Sequence, residues 1–289
     1  MPFCVGKPWN GDDFLKIAVS GKGGVGKTLI AAGLAFSFVN KGLKTIAIDA
    51  DPSPNLALTL GLTPENAAEI LPISENKNLI ESKTSIGYSG VFRLSFAVDD
   101  VVREYAVKTP LGVDLIVMGT VKSVGSGCTC PANAVVRALL QHLIVERNEA
   151  VVLDMEAGVE HMGRGTAKRV DTMLIVADAN IKSLEIAKHI HELATNADMN
   201  QVYLVGNKVG SKIQKETIEN FAEEDSLEIL GFVPFDQTVP EAEMRGETPL
   251  RCKESVAVHA IEKLCDELAV KDGYQVGKDL IIRREGRCR

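Results

Sequence analysis

Eight consecutive residues, Gly21-Lys22-Gly23-Gly24-Val25-Gly26-Lys27-Thr28, form a glycine-rich loop near the start of this chain. The apolar residues before the loop predict a buried strand from Leu15 to Ser20. The residues after it, Thr28 to Asn40, have helical spacing, and Gly42 then favours the end of a helix. The sequence thus predicts a strand, a loop and a helix in direct succession.

The loop meets the phosphate-binding pattern G-x-x-x-x-G-K-[ST] through Gly21, Gly26, Lys27 and Thr28. Glycines allow backbone N–H groups to converge on phosphate oxygens, and the helix N-terminus adds the positive end of its dipole. We expect Lys27 to reach the β- and γ-phosphates and the Thr28 hydroxyl to hold Mg²⁺. A chance glycine-rich turn is disfavoured, because the loop follows a strand and opens a helix. The predicted cofactors are ATP or ADP with Mg²⁺.

Lys22 is a second lysine in this loop, directly after the first glycine. Binding of the β-phosphate does not require it, because Lys27 already supplies that charge. A lysine here can point toward a neighbouring molecule and neutralise the charge that develops during phosphoryl transfer, as an arginine finger does. The plainer interpretation is an exposed loop lysine.

The rest of the chain alternates between short apolar segments and helical patterns. Further strands are predicted at Lys44–Asp49, Asp114–Met118, Ala150–Asp154, Thr172–Ala177, Val202–Asn207 and, more weakly, Glu228–Val233. Helices are predicted at Ala132–Arg147, Ile181–Asp198 and Glu254–Ala269. Strands that are apolar on both faces and alternate with helices predict a doubly wound α/β fold, with a mostly parallel sheet and helices on both faces.

The length of 289 residues suffices for one large α/β domain with a sizeable core. We expect a single P-loop ATPase domain over residues 1–289, with a core at about 15–270 and terminal extensions at 1–14 and 271–289. The polar stretch from Thr63 to Lys108 predicts loops and short elements inserted between two strands of the sheet.

The net charge of −7 disfavours nucleic-acid binding through a broad basic surface. Residues 1–13 contain no apolar core of signal-peptide length. The longest apolar run, around Leu29 to Val39, is too short to span a bilayer. We therefore expect a soluble, cytoplasmic protein that acts on neither nucleic acid nor membrane.

Acidic residues end two of the predicted strands. Asp49 and Asp51 lie in the segment Asp49-Ala50-Asp51-Pro52, and Asp154 follows Val151-Val152-Leu153. In a phosphate-loop protein, an acid at such a strand end holds Mg²⁺ through water, and we expect this of Asp154. Helix capping is the alternative for a single aspartate. Asp49 is interpreted as a strand-end or magnesium-shell residue.

Of the six cysteines, only Cys128 and Cys130 lie close together in the sequence, as metal binding requires. In an extended stretch, residues i and i+2 point the same way, so both thiolates can hold one metal ion. A tetrahedral structural site needs four ligands, and a two-fold dimer supplies the other two from the same pair in its partner. Buried small residues or a redox pair are the alternatives.

The loop sequence GKGGVGKT resembles the deviant Walker A loop of the Min and Par partition ATPases, nitrogenase iron protein and metal-cofactor carriers. In that group the second-position lysine reaches across a nucleotide-sandwich dimer, which implies a catalytic role in trans for Lys22 and a homodimer. The aspartate before proline orients the attacking water, which implies this role for Asp51. Leu29 departs from the pattern, which usually has a second Thr or Ser, so its backbone alone is expected to contact the nucleotide.

The same resemblance implies contacts to the nucleotide base. The family reads the adenine edge with an asparagine after a strand, which is Asn207 in this chain. Pro234 and Asp236 belong to Val233-Pro234-Phe235-Asp236, which resembles the segment that closes over the base. Gly158 falls in the expected second switch.

The C-x-C pair, followed by Asp154-Met155-Glu156-Ala157-Gly158-Val159-Glu160-His161, is similar to the CooC-type accessory ATPases. These mature the nickel–iron–sulfur site of carbon monoxide dehydrogenase, and close relatives serve acetyl-CoA synthase. The resemblance implies a metallochaperone that holds Ni²⁺ or Zn²⁺ at Cys128 and Cys130 of both subunits, with one of these enzymes as client.

Two rival functions remain at this point. The first is a positioning or partition ATPase that acts on membrane or DNA, which the acidic charge disfavours. The second is a reductase or cluster carrier. His161 falls where nitrogenase iron protein has a cluster-ligating cysteine, so a shared iron–sulfur cluster is not expected.

Overall fold

The structure is a computed structural model, and it describes residues 7–8, 15–51, 55–86, 92–94, 98–119, 139, 150–156, 170–199, 201–271 and 274–275. Its strands are β1 (Lys7–Pro8), β2 (Lys16–Gly21), β3 (Thr45–Ala50), β4 (Thr84–Ile86), β5 (Phe92–Leu94), β6 (Val107–Lys108), β7 (Asp114–Val117), β8 (Ala150–Met155), β9 (Thr172–Ala177), β10 (Gln201–Val209), β11 (Ile229–Pro234) and β12 (Tyr274–Gln275).

Helices connect most of these strands. In chain order, those described are α1 (Lys27–Asn40), α2 (Leu56–Thr59), α3 (Pro64–Ala68), α4 (Lys77–Lys83), α5 (Val98–Tyr105), α6 (Ile181–Asn196), α7 (Lys212–Glu224), α8 (Thr238–Met244) and α9 (Val256–Lys271). Ile73–Glu75 and Pro249–Arg251 are single 3-10 turns.

Eight strands form the main sheet in the order β11-β10-β9-β2-β8-β3-β7-β6. All neighbours are parallel except β6 and β7, which are antiparallel. The strand before the glycine-rich loop, β2, lies in the middle, between β9 and β8. The mostly parallel sheet confirms the predicted α/β class.

Alternating residues of the strands enter two separate cores. On one face of β2, Ile17 packs in a cluster with Phe38 of α1 and Ile261 of α9. On the other face, Ala18 packs in a cluster with Ile190 of α6. Because side chains alternate across a strand, central strands covered on both faces must be apolar throughout, as their sequences are. The sheet is therefore doubly wound.

The predicted elements agree with the observed ones to within about two residues at their ends. The inserted stretch between β3 and β7 contains short helices and the antiparallel pair β4 and β5, where the sequence predicted loops and short elements. The terminal extensions meet where β1 pairs with β12 in parallel. The predicted helix at 132–147 lies outside the described residues except for Leu139, which is helical and fully buried.

None of the helices in the described part of the chain is long and apolar enough to cross a membrane. The carboxyl ends of β2, β3, β8 and β10 open on one edge of the sheet, because these strands are parallel. In open α/β sheets, ligand sites lie outside this edge.

Candidate nucleotide-binding site

The glycine-rich loop leaves β2 through Gly21 and enters α1 through Gly26. Gly21 has φ 155°, and a Cβ atom on it would lie 2.3 Å from the carbonyl oxygen of Val176 in β9. Gly26 has φ 97°, and a Cβ atom there would lie 2.3 Å from Nδ2 of Asn207. Both positions therefore require glycine, since neither the backbone angle nor the neighbours admit a side chain.

The first turn of α1 is suited to bind an anion. Gly26 is its N-cap residue, and neither a capping side chain nor an acidic residue occupies this helix start. Helix N-termini leave backbone N–H groups without intrahelical partners and carry partial positive charge. A phosphate group bound at this turn satisfies both.

Lys27 lies at the bottom of the loop with its side chain only 6% exposed. Its ammonium is 3.5 Å from the carbonyl oxygen of Lys22 and 3.9 Å from the carboxylate of Asp51. Lys22 is half-buried, and its ammonium has no ion-pair partner among the described residues. The two loop lysines therefore differ in surroundings: one is held inside the loop and the other is available to a further anion.

Two buried carboxylates lie side by side beneath the loop. Asp49 of β3 pairs in register with Asp154 of β8, and their residues are 0% and 1% exposed. Asp49 accepts hydrogen bonds from the backbone N–H groups of Asp51, at 3.2 Å, and Leu56, at 3.0 Å. It therefore fixes the chain that carries Asp51. Neither carboxylate oxygen of Asp154 has a hydrogen-bond partner among the described residues.

The pKa values of these two carboxyl groups reflect the burial. Burial raises the pKa of Asp49 to about 6, against the hydrogen bonds from Leu56 and Asp51. Burial also raises the pKa of Asp154 to about 7, and the Thr28 hydroxyl opposes this without meeting hydrogen-bond geometry. A buried carboxylate without a partner is costly unless a cation neutralises it.

This arrangement fits Mg²⁺. The ion prefers oxygen ligands and is usually held by one or two protein groups together with phosphates and water. The Thr28 hydroxyl and the unpartnered Asp154 carboxylate, on neighbouring elements below the phosphate loop, are of this type. Among the described residues, no cluster of three or more His, Cys, Asp or Glu side chains is arranged to hold a metal ion by itself.

Asn207 and Lys208, near the end of β10, both bond to the phosphate loop. The Nδ2 group of buried Asn207 donates to the carbonyl oxygen of Val25 at 2.6 Å. The Lys208 ammonium donates to the carbonyl oxygen of Gly24 at 2.7 Å. No residue in the described part of the chain donates to the amide oxygen of Asn207, while its nitrogen contacts the loop.

The end of β11 and the residues that follow it bound one side of the site. Pro234 and Phe235 line the cavity, and Phe235 is 53% exposed. The Asp236 carboxylate accepts from the Thr238 N–H and hydroxyl, at 2.9 and 2.7 Å, and from the Ser255 hydroxyl, at 2.6 Å. It also accepts from the Ala257 N–H at 3.1 Å, so it ties together the starts of α8 and α9.

A cavity of about 920 Å³ joins these groups. The predicted residues that line it are Lys22, Gly23, Gly24, Gly26, Lys27, Thr28, Leu29, Asp51, Asn207, Pro234 and Asp236. Gly21, Val25 and Asp154 were also predicted, but they are buried and do not line it. Leu29 is 8% exposed and packs in the hydrophobic core, so its side chain is structural, as its departure from Thr or Ser suggested.

Sequence reasoning missed several cavity residues. Asn55, Glu156, Lys208 and Glu243 also line it. Lys208 is adjacent to the predicted Asn207, and Glu156 follows Asp154 by two residues, but neither belongs to a recognisable spacing. The predicted metal ligands Cys128 and Cys130, and also Gly158 and His161, lie outside the described residues.

Two relatives can be aligned with most of this sequence. The chain is 42% identical over 254 residues to an ATP-binding protein of Methanocaldococcus jannaschii. The alignment covers 86% of this chain and 96% of that protein. The chain is also 40% identical over 234 residues to the carbon monoxide dehydrogenase accessory protein CooC of Rhodospirillum rubrum. This alignment covers 80% of this chain and 88% of that protein.

Solved structures share the fold at lower identity. MinD in the MinC:MinD cell division complex of Aquifex aeolicus matches with a TM-score of 0.66 and 20% identity, over 91% of this chain and 97% of that chain. A ParA family ATPase of Chlorobium tepidum matches with a TM-score of 0.62 and 18% identity, over 87% and 97%.

The family model of the CobQ/CobB/MinD/ParA nucleotide-binding domain matches residues 16–250, which include β2 to β11 and all the loop and cavity residues described above. The phosphate loop, the two buried carboxylates and the CooC relative agree with this match. The chain therefore belongs to the CobQ/CobB/MinD/ParA family and is a P-loop ATPase.

Proposed function

We propose that this protein is an ATP-dependent metallochaperone that delivers nickel to carbon monoxide dehydrogenase or acetyl-CoA synthase. The observation that carries the proposal is the 40% identity to the CooC accessory protein over 88% of its length, together with the phosphate loop and the cavity beside it in the matched region. In this proposal the whole chain is one ATPase domain, and it works in the cytoplasm.

Nucleotide binding uses the loop and the first turn of α1. The backbone of residues 23–28 and the ammonium of Lys27 bind the phosphates. The Thr28 hydroxyl and the Asp154 carboxylate hold Mg²⁺, which neutralises charge on the β- and γ-phosphates when bound. The free amide oxygen of Asn207 accepts a hydrogen bond from the exocyclic amino group of adenine, and Pro234 and Asp236 bound the base.

Hydrolysis depends on Asp51. Its carboxylate is 3.9 Å from the Lys27 ammonium. Phosphate oxygens take over Lys27 when ATP binds, so Asp51 is released to accept a hydrogen bond from the attacking water. The water oxygen bonds to the γ-phosphorus, the bond to the β-phosphate oxygen breaks, and the products are ADP and inorganic phosphate.

The catalytic dimer is built on Lys22. This ammonium lines the cavity mouth without an ion-pair partner among the described residues. In a nucleotide-sandwich homodimer it reaches the nucleotide of the partner and neutralises charge in the transition state, as a trans-acting arginine does. Each subunit then lacks a part of its own catalytic site, so hydrolysis requires the dimer.

The metal cargo is held by Cys128 and Cys130 of both subunits. Four thiolates would supply a four-coordinate site for Ni²⁺ or Zn²⁺ that exists only in the dimer. ATP therefore controls the cargo: binding assembles the thiolate site, and hydrolysis loosens the dimer and releases the ion to the client enzyme.

Metal titration with and without ATP tests the proposal. Wild-type protein and the Cys128→Ser/Cys130→Ser double variant are titrated with Ni²⁺ or Zn²⁺, and the dimer fraction is measured by analytical ultracentrifugation. We expect one ion per wild-type dimer and none in the double variant. A matched control is Cys252→Ser, because Cys252 is a half-buried free thiol outside the predicted metal site.

Activation of the client completes the test. Wild-type protein with Ni²⁺ and MgATP is expected to activate nickel-free carbon monoxide dehydrogenase or acetyl-CoA synthase, and the double variant is not. If the double variant binds one ion per dimer with unchanged affinity, or if activation is independent of ATP, the metallochaperone function is wrong. Sedimentation with liposomes or DNA in the presence of ATP tests the rival positioning function, and an iron–sulfur chromophore in anaerobically purified protein tests the cluster carrier.

A further inference from the structure

Two neighbouring residues of one strand contact the same loop, which a regular strand does not allow. Successive side chains of a strand point to opposite faces. Asn207 and Lys208 are successive residues of β10, yet their side chains donate to the carbonyl oxygens of Val25 and Gly24, at 2.6 and 2.7 Å. The backbone of β10 must therefore be irregular at this point.

The irregularity is a bulge centred on Lys208. The pairing of β10 with β11 shifts register between Gly206 and Val209. Lys208 itself has φ 57°, in the left-handed region that a lysine rarely adopts. This conformation turns the Lys208 side chain to the side of Asn207. Bulges of this kind occur beside functional sites, where they redirect a side chain.

The contact fixes one peptide group of the phosphate loop. In a trans peptide the C=O and N–H bonds point in opposite directions, so a donor on the Gly24 carbonyl oxygen also sets the direction of the Val25 N–H. That N–H closes the turn of the loop on the carbonyl oxygen of Lys22 at 3.4 Å. The same oxygen lies 3.5 Å from the Lys27 ammonium.

We propose that Lys208 is a positioning residue of the ATPase, which holds the Gly24–Val25 peptide, and with it the turn of the phosphate loop, in the conformation that receives phosphates. Its ammonium serves as a backbone clamp, and phosphate charge is left to Lys22 and Lys27. The proposal deepens the ATPase part of the proposed function and is independent of metal delivery.

Three substitutions separate the ammonium contact from the backbone conformation. Lys208→Met keeps the length and the apolar stem without the donor. Lys208→Asn tolerates the left-handed backbone but is too short to reach Gly24. Lys208→Arg restores a long cationic donor. Lys212→Met is the matched control, because Lys212 is an exposed lysine of α7 that pairs with Glu216 outside the cavity.

The measurements are ATP and ADP affinity by titration with a fluorescent nucleotide, KM and kcat for ATP hydrolysis, and Tm without nucleotide. We expect the Met and Asn variants to lose about tenfold in affinity for ATP and ADP and to raise KM by a similar factor, with kcat within about threefold of wild type and Tm unchanged. The Arg variant is expected to remain within about threefold of wild-type affinity.

Four results would overturn the assignment: wild-type affinity in the Met variant, wild-type affinity in the Asn variant, a loss in the Arg variant equal to that of the Met variant, or an equal loss in Lys212→Met. These failures differ from failure of the proposed function, in which wild-type protein binds and hydrolyses ATP but does not activate a nickel enzyme.

Discussion

The Lys27 ammonium lies 3.9 Å from the Asp51 carboxylate, so the cation predicted to bind phosphate faces the anion predicted to orient the attacking water. We therefore expect Asp51 to compete with the phosphates for the charge of Lys27. It lies in the rim of the cavity at 22% exposure, where water can reach it. Binding and hydrolysis make opposite demands on this carboxylate.

We expect Asp51→Asn to separate the two steps. The amide removes a negative charge next to the phosphate site, so affinity for ATP stays the same or rises by several-fold. It also removes the acceptor for the attacking water, so kcat falls by about 100-fold or more. Nucleotide titration and single-turnover hydrolysis measure the two effects. The control is Glu69→Gln, at an exposed position outside the cavity, and a variant that lost affinity together with kcat would contradict this role for Asp51.

A second prediction concerns Asp154, which is buried without a hydrogen-bond partner among the described residues. Its pKa is raised from 3.8 to about 7, so its contribution to stability is present below pH 4 and is lost as the pH rises through 7. In EDTA at pH 8, Asp154→Asn is expected to be more stable than wild type by about 1–3 kcal/mol, because it removes a buried charge.

The gain in stability should shrink as the pH falls from 8 toward 4, because native Asp154 becomes protonated near pH 7 and the unfolded carboxyl only near pH 4. It should also shrink in the presence of MgATP, where the carboxylate has a cation. Hydrolysis by the variant is expected to fall by about 100-fold or more, because the Mg²⁺ site is weakened. Thermal unfolding in EDTA between pH 5 and 8 checks the first effect, and Mg²⁺-dependent turnover checks the second. Full activity in the variant would remove Asp154 from the Mg²⁺ site.

The sequence predicted the central strands well because they are apolar on both faces and are bounded by clear turn residues. It missed α7, in which only Ile218 and Ala222 are buried, since so narrow an apolar stripe gives little helical periodicity. It also missed α8, a helix of seven residues with one buried side chain, Ala242. Short helices depend on tertiary packing that a local pattern does not contain.

Some features of the site were likewise predictable from the sequence, and others were not. The phosphate loop was predictable because its glycines and lysine follow a fixed spacing. The pairing of Asp49 with Asp154 was not, because it depends on the order of strands in the sheet. The role of Lys208 depends on a bulge, and the sequence contains no glycine or proline at that position to indicate one.

Asp236, which belongs to the segment predicted to close over the nucleotide base, also has a structural role. Partial burial alone would raise its pKa, but hydrogen bonds from Ser255, Thr238 and Ala257 outweigh this and hold the pKa well below its usual range. A depressed pKa contributes stability above the unfolded value near pH 4 and loses it as the pH falls further. Asp236→Asn is expected to destabilise the protein at pH 7 by about 1–2 kcal/mol, allowing for partial exposure.

The difference in Tm between wild type and Asp236→Asn is expected to shrink as the pH falls from 5 to 3. Thermal unfolding followed by circular dichroism over this range measures it. Asp266→Asn is the control, because Asp266 is 47% exposed and its ion pair with Lys41 is expected to contribute less than about 1 kcal/mol. A Tm difference that is independent of pH would show that the Asp236 charge has no part in joining α8 to α9.

The last prediction decides whether Lys22 acts on its own nucleotide or on that of a partner. Lys22→Ala and Asp51→Asn are each expected to bind ATP and to lose about 100-fold or more in kcat. In a mixed dimer, the Lys22→Ala subunit keeps its own Asp51 and receives the intact Lys22 of the other subunit. One of the two sites in that dimer is therefore complete if Lys22 acts in trans.

If Lys22 acts in cis, each site of the mixed dimer lacks one group and no activity returns. An equimolar mixture forms mixed dimers in about half of the population, so trans action predicts recovery of about a quarter of wild-type turnover. ATP hydrolysis measured against the mixing ratio, with each variant alone as control, gives the result. A Lys22→Ala/Asp51→Asn double variant mixed with Lys22→Ala should recover nothing, because no subunit then offers Lys22, and activity in that mixture would contradict the trans assignment.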